Sequence, residues 1–554
     1  MATKYKLELQ WTNKNKALYY DASSNKYEWV DKKDPRVSEP RILVEKNLYG
    51  DKNTENILIK GDNLLALKAL MQDFRNRIDL IYIDPPYNTG NAFEHYDDGL
   101  EHSIWLSLIR DRVDLLHQLL SPEGFFCCQI DDSEAPYLKV LLDEIFGRQN
   151  YITTFFIQVR YGNKTLAEDN PYQKLIEQCF IYAKEKYKSK PNKSIEEYKL
   201  EKFEWKIIEK KQGKIMELGG KKVELFKPGE YDIARETPSI KGLKETWATG
   251  SLIKQKASSG EFLFKNLAPR KEIDGLGCLY KVYGIGEDGL GYRYFTGPKR
   301  AEATKGKFYS GVPIQRIEEL QKGITTKEVP ILNFYDLSAN FGNSRTEGNA
   351  DFRSGKKPEK LLEIFIKHFS NEGDIVLDSF GGSGTTGAVA HKMKRKWIMV
   401  ELGEHAETHC LKRLKGVVDG NDQTGISKEV GWKGGGGFKY FELGDSLFVR
   451  DSDLRLTIIN PMMYNGPLIR AVLKIEGFKL ANPNNGLHDI SGTTAAHVTE
   501  QYLSQEYIDA LVNEISDQAK FIVIYAKTIS SKLKLPDNVE VKRIPDVLLK
   551  RFTV

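Results

Sequence analysis

Ile78-Asp79-Leu80-Ile81-Tyr82-Ile83 runs straight into Asp84-Pro85-Pro86-Tyr87. A short apolar run closed by Asp-Pro-Pro predicts a buried strand that ends abruptly in a loop. Outward from it, Ile57–Ile59 predicts a shorter strand ending in Gly61-Asp62-Asn63, and Leu64–Phe74 has helical apolar spacing. His102–Leu120 predicts a long amphipathic helix stopped by Ser121-Pro122. Phe125–Ile130 then reads as a third strand, and Tyr137–Phe146 as a helix closed by Gly147. Strands and helices alternating at these lengths predict a parallel sheet covered on both faces.

The rhythm stops near Lys184 and resumes with helix Lys360–Phe369, strand Asp374–Leu377, helix Thr385–Lys394, strand Trp397–Val400 and a helix over Ala406–Val418. The expected fold is therefore α/β: one Rossmann-like, doubly wound sheet written in two halves, 46–184 and 331–445. Residues 185–330, rich in short β pieces and glycine turns, form an inserted domain. Residues 1–45 read as an arm, and 446–554, after Gly434–Gly437, as a small α/β module.

With 40% hydrophobic and 29% charged residues the 554-residue chain has the composition of a globular protein. It contains no run of eighteen apolar residues and no N-terminal signal pattern, so no membrane contact and a cytoplasmic location are expected. Cys127, Cys128, Cys179, Cys278 and Cys410 show no CxxC spacing and read as reduced core thiols. Lys184–Glu230 carries 14 lysines, no arginine and nine acidic residues, a surplus equal to the whole chain's +5. That stretch reads either as a phosphate-facing surface or as a solvated insertion.

A second loop stands far downstream, at Asp378-Ser379-Phe380-Gly381-Gly382-Ser383-Gly384-Thr385-Thr386. Glycines between a strand and a helix let backbone approach a ligand and aim helix N–H groups at it. A P-loop needs Gly-Lys-Ser/Thr where this has Gly-Thr-Thr, and the dinucleotide fingerprint fails on spacing. A nucleoside without phosphates remains, and Glu401, about twenty residues on, is placed to hold ribose hydroxyls. The inferred ligand is S-adenosylmethionine, with Phe380 against its sulfonium or adenine; a purely structural strand–turn–helix is the alternative. Gly284-Ile285-Gly286-Glu287-Asp288-Gly289 matches GxGxxG better, but β-like residues follow it, so it reads as a turn.

The acceptor loop suits an exocyclic amine, whose lone pair is delocalised into its ring. The Asp84 carboxylate and the Pro85 carbonyl, fixed by Pro85-Pro86, can accept its two hydrogens and localise that pair. Tyr87 offers a stacking face to a base turned out of the duplex, at a cost of a few kcal/mol. Both loops leave the carboxyl ends of strands, where open α/β sheets bind ligands. Holding methyl and nitrogen at near-attack separation is worth up to ~7–11 kcal/mol. In residues 292–308, Arg293, Lys299, Arg300, Lys305 and Lys307 lie among Tyr292, Tyr294, Phe295 and Phe308, which reads as a DNA contact or an ordinary β surface. His405, His409 and Cys410 lack the HExxH order, so no metal is expected. Ile459-Asn460-Pro461-Met462-Met463-Tyr464-Asn465 echoes the acceptor loop without Pro-Pro and reads as a strand-end turn.

On Gly61-Asp62-Asn63, Asp84–Gly90, Gly355-Lys356-Lys357-Pro358, Phe380–Thr386 and Gly425–Val430 with Gly434–Gly437, the chain resembles the β-class amino-methyltransferases of DNA. More closely, it resembles the modification (Mod) subunits of type III restriction–modification systems. The resemblance covers about 45–185 and 331–445. It implies a target-recognition domain in 185–330, Asp62 and Asn63 lining the site, and Lys357 and Pro358 at the methionine end of the cofactor. The acidic first residue of the acceptor motif implies N6 of adenine. A homodimer acting on duplex DNA, with a separate helicase–nuclease (Res) subunit, is implied as well. The alternatives are a solitary or other phage-defence adenine methyltransferase, and a non-catalytic DNA-binding specificity subunit.

Overall fold

The computed structural model describes residues 7–21, 26–39, 41–88, 101–163, 172–247, 258–300, 302, 306–352, 355–450, 457–463, 467–478, 488–515 and 518–544. Two compact units form, one of residues 1–192 with 331–554 and one of 193–330.

The larger unit is built on a ten-stranded sheet. Its strands in chain order are β1 Leu43–Gly50, β2 Ile57–Lys60, β3 Ile78–Ile83, β4 Leu120–Ile130 and β5 Tyr151–Gln158. These are followed by β6 Ile176–Ala183, β7 Phe334–Asp336, β8 Ile375–Asp378, β9 Lys396–Glu401 and β10 Gly437–Leu443. They lie side by side as β7-β5-β6-β4-β3-β8-β9-β2-β10-β1. All run one way except β6 and β1, which are antiparallel to their neighbours. The two halves of the sequence meet in the middle, where Leu80 pairs with Val376 and Ile81 with Leu377.

Side chains alternate faces along each strand. Ile81, Ile83, Phe126, Cys128, Leu377 and Ile398 bury against α1 Asn63–Phe74, α2 His102–Leu119 and α3 Ala135–Leu142. Leu80, Tyr82, Cys127, Val376 and Met399 bury on the other face against α4 Glu359–Phe369, α5 Thr385–Lys392 and α6 Lys412–Val418. Burial on both faces is why these strands read as continuous apolar runs; each such side chain contributes about 1.5–3 kcal/mol. From β3 the chain crosses through α2 to β4, and from β8 through α5 to β9 on the opposite side. The strand order therefore reverses between β3 and β8.

Local readings hold closely, with departures where partners are remote. β4 begins at Leu120, so Ser121-Pro122 ends the helix but lies within the strand. α5 stops at Lys392, and Lys394 takes a positive φ of 60°. β5, β6 and β10 join the main sheet through pairing that no local pattern announces. The N-terminal residues expected as an arm instead form a hairpin, Ala17–Asp21 with Lys26–Val30. Trp11 Nε1 donates to Ser107 Oγ at 2.6 Å, and Leu18 is buried in the core beside α2. Residues 185–192, expected in the insertion, stay with the larger unit: Asn192 donates its backbone N–H to the His368 carbonyl at 2.8 Å.

Beyond β10, a four-stranded sheet of Asp489–Ser491, Thr494–Leu503, Phe521–Ile529 and Val539–Arg543 carries helices Pro467–Ile475 and Gln505–Ile515. Strand Thr457–Ile459 ends at Asn460 in a short 3₁₀ turn, as a strand-end turn would; Tyr464 and Asn465 lie outside the described residues.

The smaller unit holds a six-stranded antiparallel sheet and clusters of its own around Tyr280, Phe295 and Phe226. Gly284–Gly289 belongs to the connection between paired strands Leu279–Tyr283 and Tyr292–Thr296, a turn and not a nucleotide loop.

Candidate active site

β3 and β8 end side by side, so the Asp84 and Asp378 loops emerge together from the carboxyl edge of the sheet. Neighbouring elements hold them, and one residue reaches from one loop to the other. Asn63, at the start of α1, donates its side-chain amide to the Ser379 carbonyl at 2.8 Å. Lys357, just before α4, takes a Thr385 hydroxyl on its backbone carbonyl at 3.2 Å and sends its ammonium to Asp84 Oδ2 at 2.9 Å.

On the acceptor side, the Tyr87 hydroxyl donates to Asp84 Oδ1 at 2.6 Å and lies 2.9 Å from Glu177 Oε2. The Trp105 indole of α2 donates to the Pro86 carbonyl at 2.8 Å, fixing the di-proline turn from beneath. Asn88 closes the described part of the loop at φ 56° and donates to Glu134 at 2.8 Å; Thr89 and Gly90 lie outside the described residues. Burial pushes the Asp84 carboxyl up, opposed by the Lys357 ammonium and reinforced by the Glu177 carboxylate. Burial would lower Lys357, but Asp84 and Glu177 more than reverse it, so the cation is held firmly.

On the glycine side, Asp378 Oδ1 accepts from Phe380 N at 2.9 Å and Oδ2 from the Thr386 hydroxyl at 2.6 Å. Burial raises its carboxyl to about 7 despite both bonds. Gly382 and Gly384 have φ of 51° and 81°, which only glycine adopts freely. Glu401 Oε2 accepts from Gly382 N at 2.6 Å, and its Oε1 from Leu402 N at 2.7 Å and His405 Nε2 at 2.8 Å. The residue expected to meet a ribose thus holds the glycine loop itself. Cys410 Sγ donates to the Gly382 carbonyl at 2.8 Å from the other side. Ser383 Oγ lies 3.0 Å from Thr385 Oγ1.

Asp62 and Asn63 are placed by α1: Asp62 Oδ1 caps the helix at Leu65 N, and Arg112 of α2 donates to both side chains. Pro358 caps α4. Behind it Glu359 meets Lys392 at 2.8 Å and Arg413 at 2.8 Å, and Lys392 meets Asp422 at 2.7 Å, all fully buried. This network anchors the turn that presents Lys357.

Glu177, at the start of β6, and Trp105 are the site residues that sequence reading missed. Neither carries a local signal, because each acts across elements far apart in sequence. A cavity of about 400 Å³ adjoins Glu177, bordered also by Lys357, Arg160, Tyr161, Ser338 and Phe341.

Three expected DNA contacts lie in the smaller unit. Arg293 points inward to Asp288, at 3.3 Å, and to Ser259. Lys299 and Arg300 are exposed and line a concavity of about 620 Å³ with Trp205, Trp247 and Lys307. Lys307 lies over the Trp247 ring at 4.5 Å. Lys305 lies outside the described residues. His405 and His409 have separate partners, and among the described residues no cluster of three metal-ligating side chains occurs.

A family model described as DNA methylase matches residues 78–412. The "Probable type III restriction-modification enzyme HindVI Mod subunit" of Haemophilus influenzae is 34% identical over 417 residues, covering 70% of this chain and 54% of that protein. The type III restriction-modification enzyme EcoPI Mod subunit of Escherichia phage P1 is 27% identical, covering 62% and 56%. The chain spans about half the length of these curated relatives. Among solved structures, a PvuII DNA methyltransferase (cytosine-N4-specific) overlays with a TM-score of 0.30 at 16% identity, covering 65% of this chain and 86% of that one.

Proposed function

The chain belongs to the DNA methylase family, and on that premise we propose that it methylates N6 of an adenine turned out of duplex DNA, as a Mod-type subunit. One observation carries this reading: an acceptor carboxylate and a glycine loop, almost three hundred residues apart, leave adjacent parallel strands at one edge.

The glycine loop fits a nucleoside cofactor. The nearest atom to a Cβ built on Gly382 is the Phe380 carbonyl at 3.9 Å, so this backbone faces open space. S-adenosylmethionine is the ligand proposed there, and when bound it supplies an electrophilic methyl group. Gly381, Gly382, Ser383 and Gly384 offer backbone to it, Phe380 a ring face, and Glu401 a carboxylate beside Gly382. Asp378, Thr385 and Thr386 shape the loop from below.

Asp84 accepts one hydrogen of the amine and the Pro85 carbonyl the other, which draws the nitrogen lone pair out of the ring. Tyr87 stacks on the base while its hydroxyl orients Asp84. After transfer the alkylated nitrogen sheds one proton, for which Asp84 is the nearest base. Duplex DNA, a second copy of the chain and a helicase–nuclease subunit are the partners this reading carries; a cytoplasmic site of action goes with it. Lys299 and Arg300 are proposed to meet phosphates, whereas Arg293 has an internal structural role.

The test is transfer of labelled methyl from S-adenosylmethionine to duplex DNA, followed by sequencing for N6-methyladenine. Wild type labels adenine and Asp84→Ala falls by three orders of magnitude or more, on the order of 4 kcal/mol of transition-state stabilisation. Unlabelled DNA with wild-type protein, or full activity of Asp84→Ala, defeats the reading.

A further inference from the structure

Both oxygens of the proposed acceptor carboxylate are already occupied. Tyr87 donates to Oδ1 at 2.6 Å, and the Lys357 ammonium stands 2.9 Å from Oδ2, where an amine hydrogen has to go. An amine approaching Oδ2 meets that ammonium, and the seat it holds is vacated only if the ammonium moves. The Lys357 side chain is only 8% exposed, so withdrawal into bulk water requires a large movement, and stranding a buried cation is unfavourable. A second carboxylate lies within a short slide: Glu177 Oε2 is 3.6 Å from the same ammonium.

That carboxylate is held rigidly. Its Oε2 lies 2.9 Å from the Tyr87 hydroxyl and accepts from the Gln129 amide, whose own carbonyl oxygen accepts from Tyr82 at 2.7 Å. Gln129 and Tyr82 are fully buried. Lys357 also lies over the Tyr87 ring at 4.8 Å, a face bordering both seats.

We propose that Glu177 is a positioning residue that gives Lys357 a second seat, so that the acceptor amine can replace the ammonium on Asp84 without leaving the cation unpaired. The resting contact favours the ionised form of Asp84 and occupies it; the exchanged state leaves Asp84 free for the amine and Lys357 paired with Glu177. The proposal rests on the reading of Asp84 as amine acceptor.

The groups facing Asp84 are Lys357, Glu177, Tyr87, Tyr82, Asp378 and the thiols of Cys128 and Cys179. Removing the cation raises the acceptor carboxyl, and removing the second carboxylate lowers it. The acid limb of the transfer rate therefore moves in opposite directions in two variants. In Lys357→Met it moves up by about one pH unit, and in Glu177→Gln it moves down, each a shift of the size one neighbouring charge produces. In Glu177→Gln the ammonium stays clamped on Asp84, so base extrusion weakens by about tenfold, as for one lost charge-assisted contact.

The experiment measures single-turnover rate against pH, together with fluorescence of 2-aminopurine placed at the methylated adenine of a duplex. Circular dichroism and denaturant unfolding report folding of each variant. Glu177→Asp is the rescue: it retains the charge, returns the limb toward wild type and recovers part of the fluorescence. A Glu177→Gln protein with wild-type limb and wild-type fluorescence overturns the proposal while leaving the methylation reading intact. A lowered rate with an unmoved limb overturns it too, since that is what loss of packing alone does. If Glu177→Gln fails to fold, a Glu177→Asp limb displaced as far as that of Lys357→Met overturns it. Wild-type protein that transfers no methyl group defeats the underlying reading instead.

Discussion

Asp378 pairs chemistry with an instability of its own making. Burial pushes its carboxyl up to about 7, from 3.8 for the free side chain. Between those two values the native chain holds a proton that the unfolded chain has released, so stability from this group falls as pH rises through the window. A shift of that size corresponds to about 4 kcal/mol, as an order of magnitude. Asp378→Asn should therefore flatten the dependence: melting temperatures from pH 5 to 8 fall more steeply for wild type than for the variant. Parallel curves sink the assignment. Trp105 is a second case in which one atom matters. Trp105→Phe keeps the buried ring but removes the donor to the Pro86 carbonyl. It should lower stability by about 1 kcal/mol and slow methyl transfer with DNA affinity unchanged, read from denaturant unfolding and single-turnover rates. A variant with wild-type turnover shows that Trp105 does not steady the acceptor loop.

At the scale of elements, the strand β8–loop–α5 segment works only because Gly384 turns the chain into the helix. Its φ is 81°, and a Cβ there would stand 3.2 Å from Cys410 Cα, on backbone that cannot retreat alone. Gly384→Ala should cost about 1–3 kcal/mol in strain and weaken binding of S-adenosylhomocysteine by tenfold or more, measured by calorimetry. Unchanged affinity argues that the loop does not receive the cofactor. The α4 entrance depends in turn on Glu359, which faces two fully buried cations. Removing one member of such a network strands the others, so Glu359→Ala should destabilise by about 3–5 kcal/mol. Denaturant unfolding checks this; a loss under 1 kcal/mol means the network is easily rearranged.

For the whole molecule, the chain leaves the main sheet after β6, builds residues 193–330 with their own antiparallel sheet and clusters, and returns at β7. A separate core predicts separate cooperativity. An excised fragment of residues 193–330 should give a single sigmoidal denaturant transition. A featureless unfolding curve would show that this unit needs the rest of the chain. The larger unit has the opposite character. β1 and β10, about four hundred residues apart, pair at one edge, and β3 and β8 pair in the middle. No contiguous half of its sequence contains the whole of the ten-stranded sheet.

The local chemistry by itself determined the strand and helix types and the two loops to which separate tasks are proposed, because apolar period, proline and glycine act within a few residues of themselves. Asp84, Tyr87 and the glycines were legible for that reason. Only the tertiary structure decided that Lys357 reaches Asp84, that Glu177 and Trp105 flank the acceptor loop, that Glu401 holds Gly382, and that Arg293 turns inward. Those facts depend on strand pairing and side-chain direction across hundreds of residues, where one more hydrogen bond or one buried charge decides the arrangement and leaves no periodic trace in the chain.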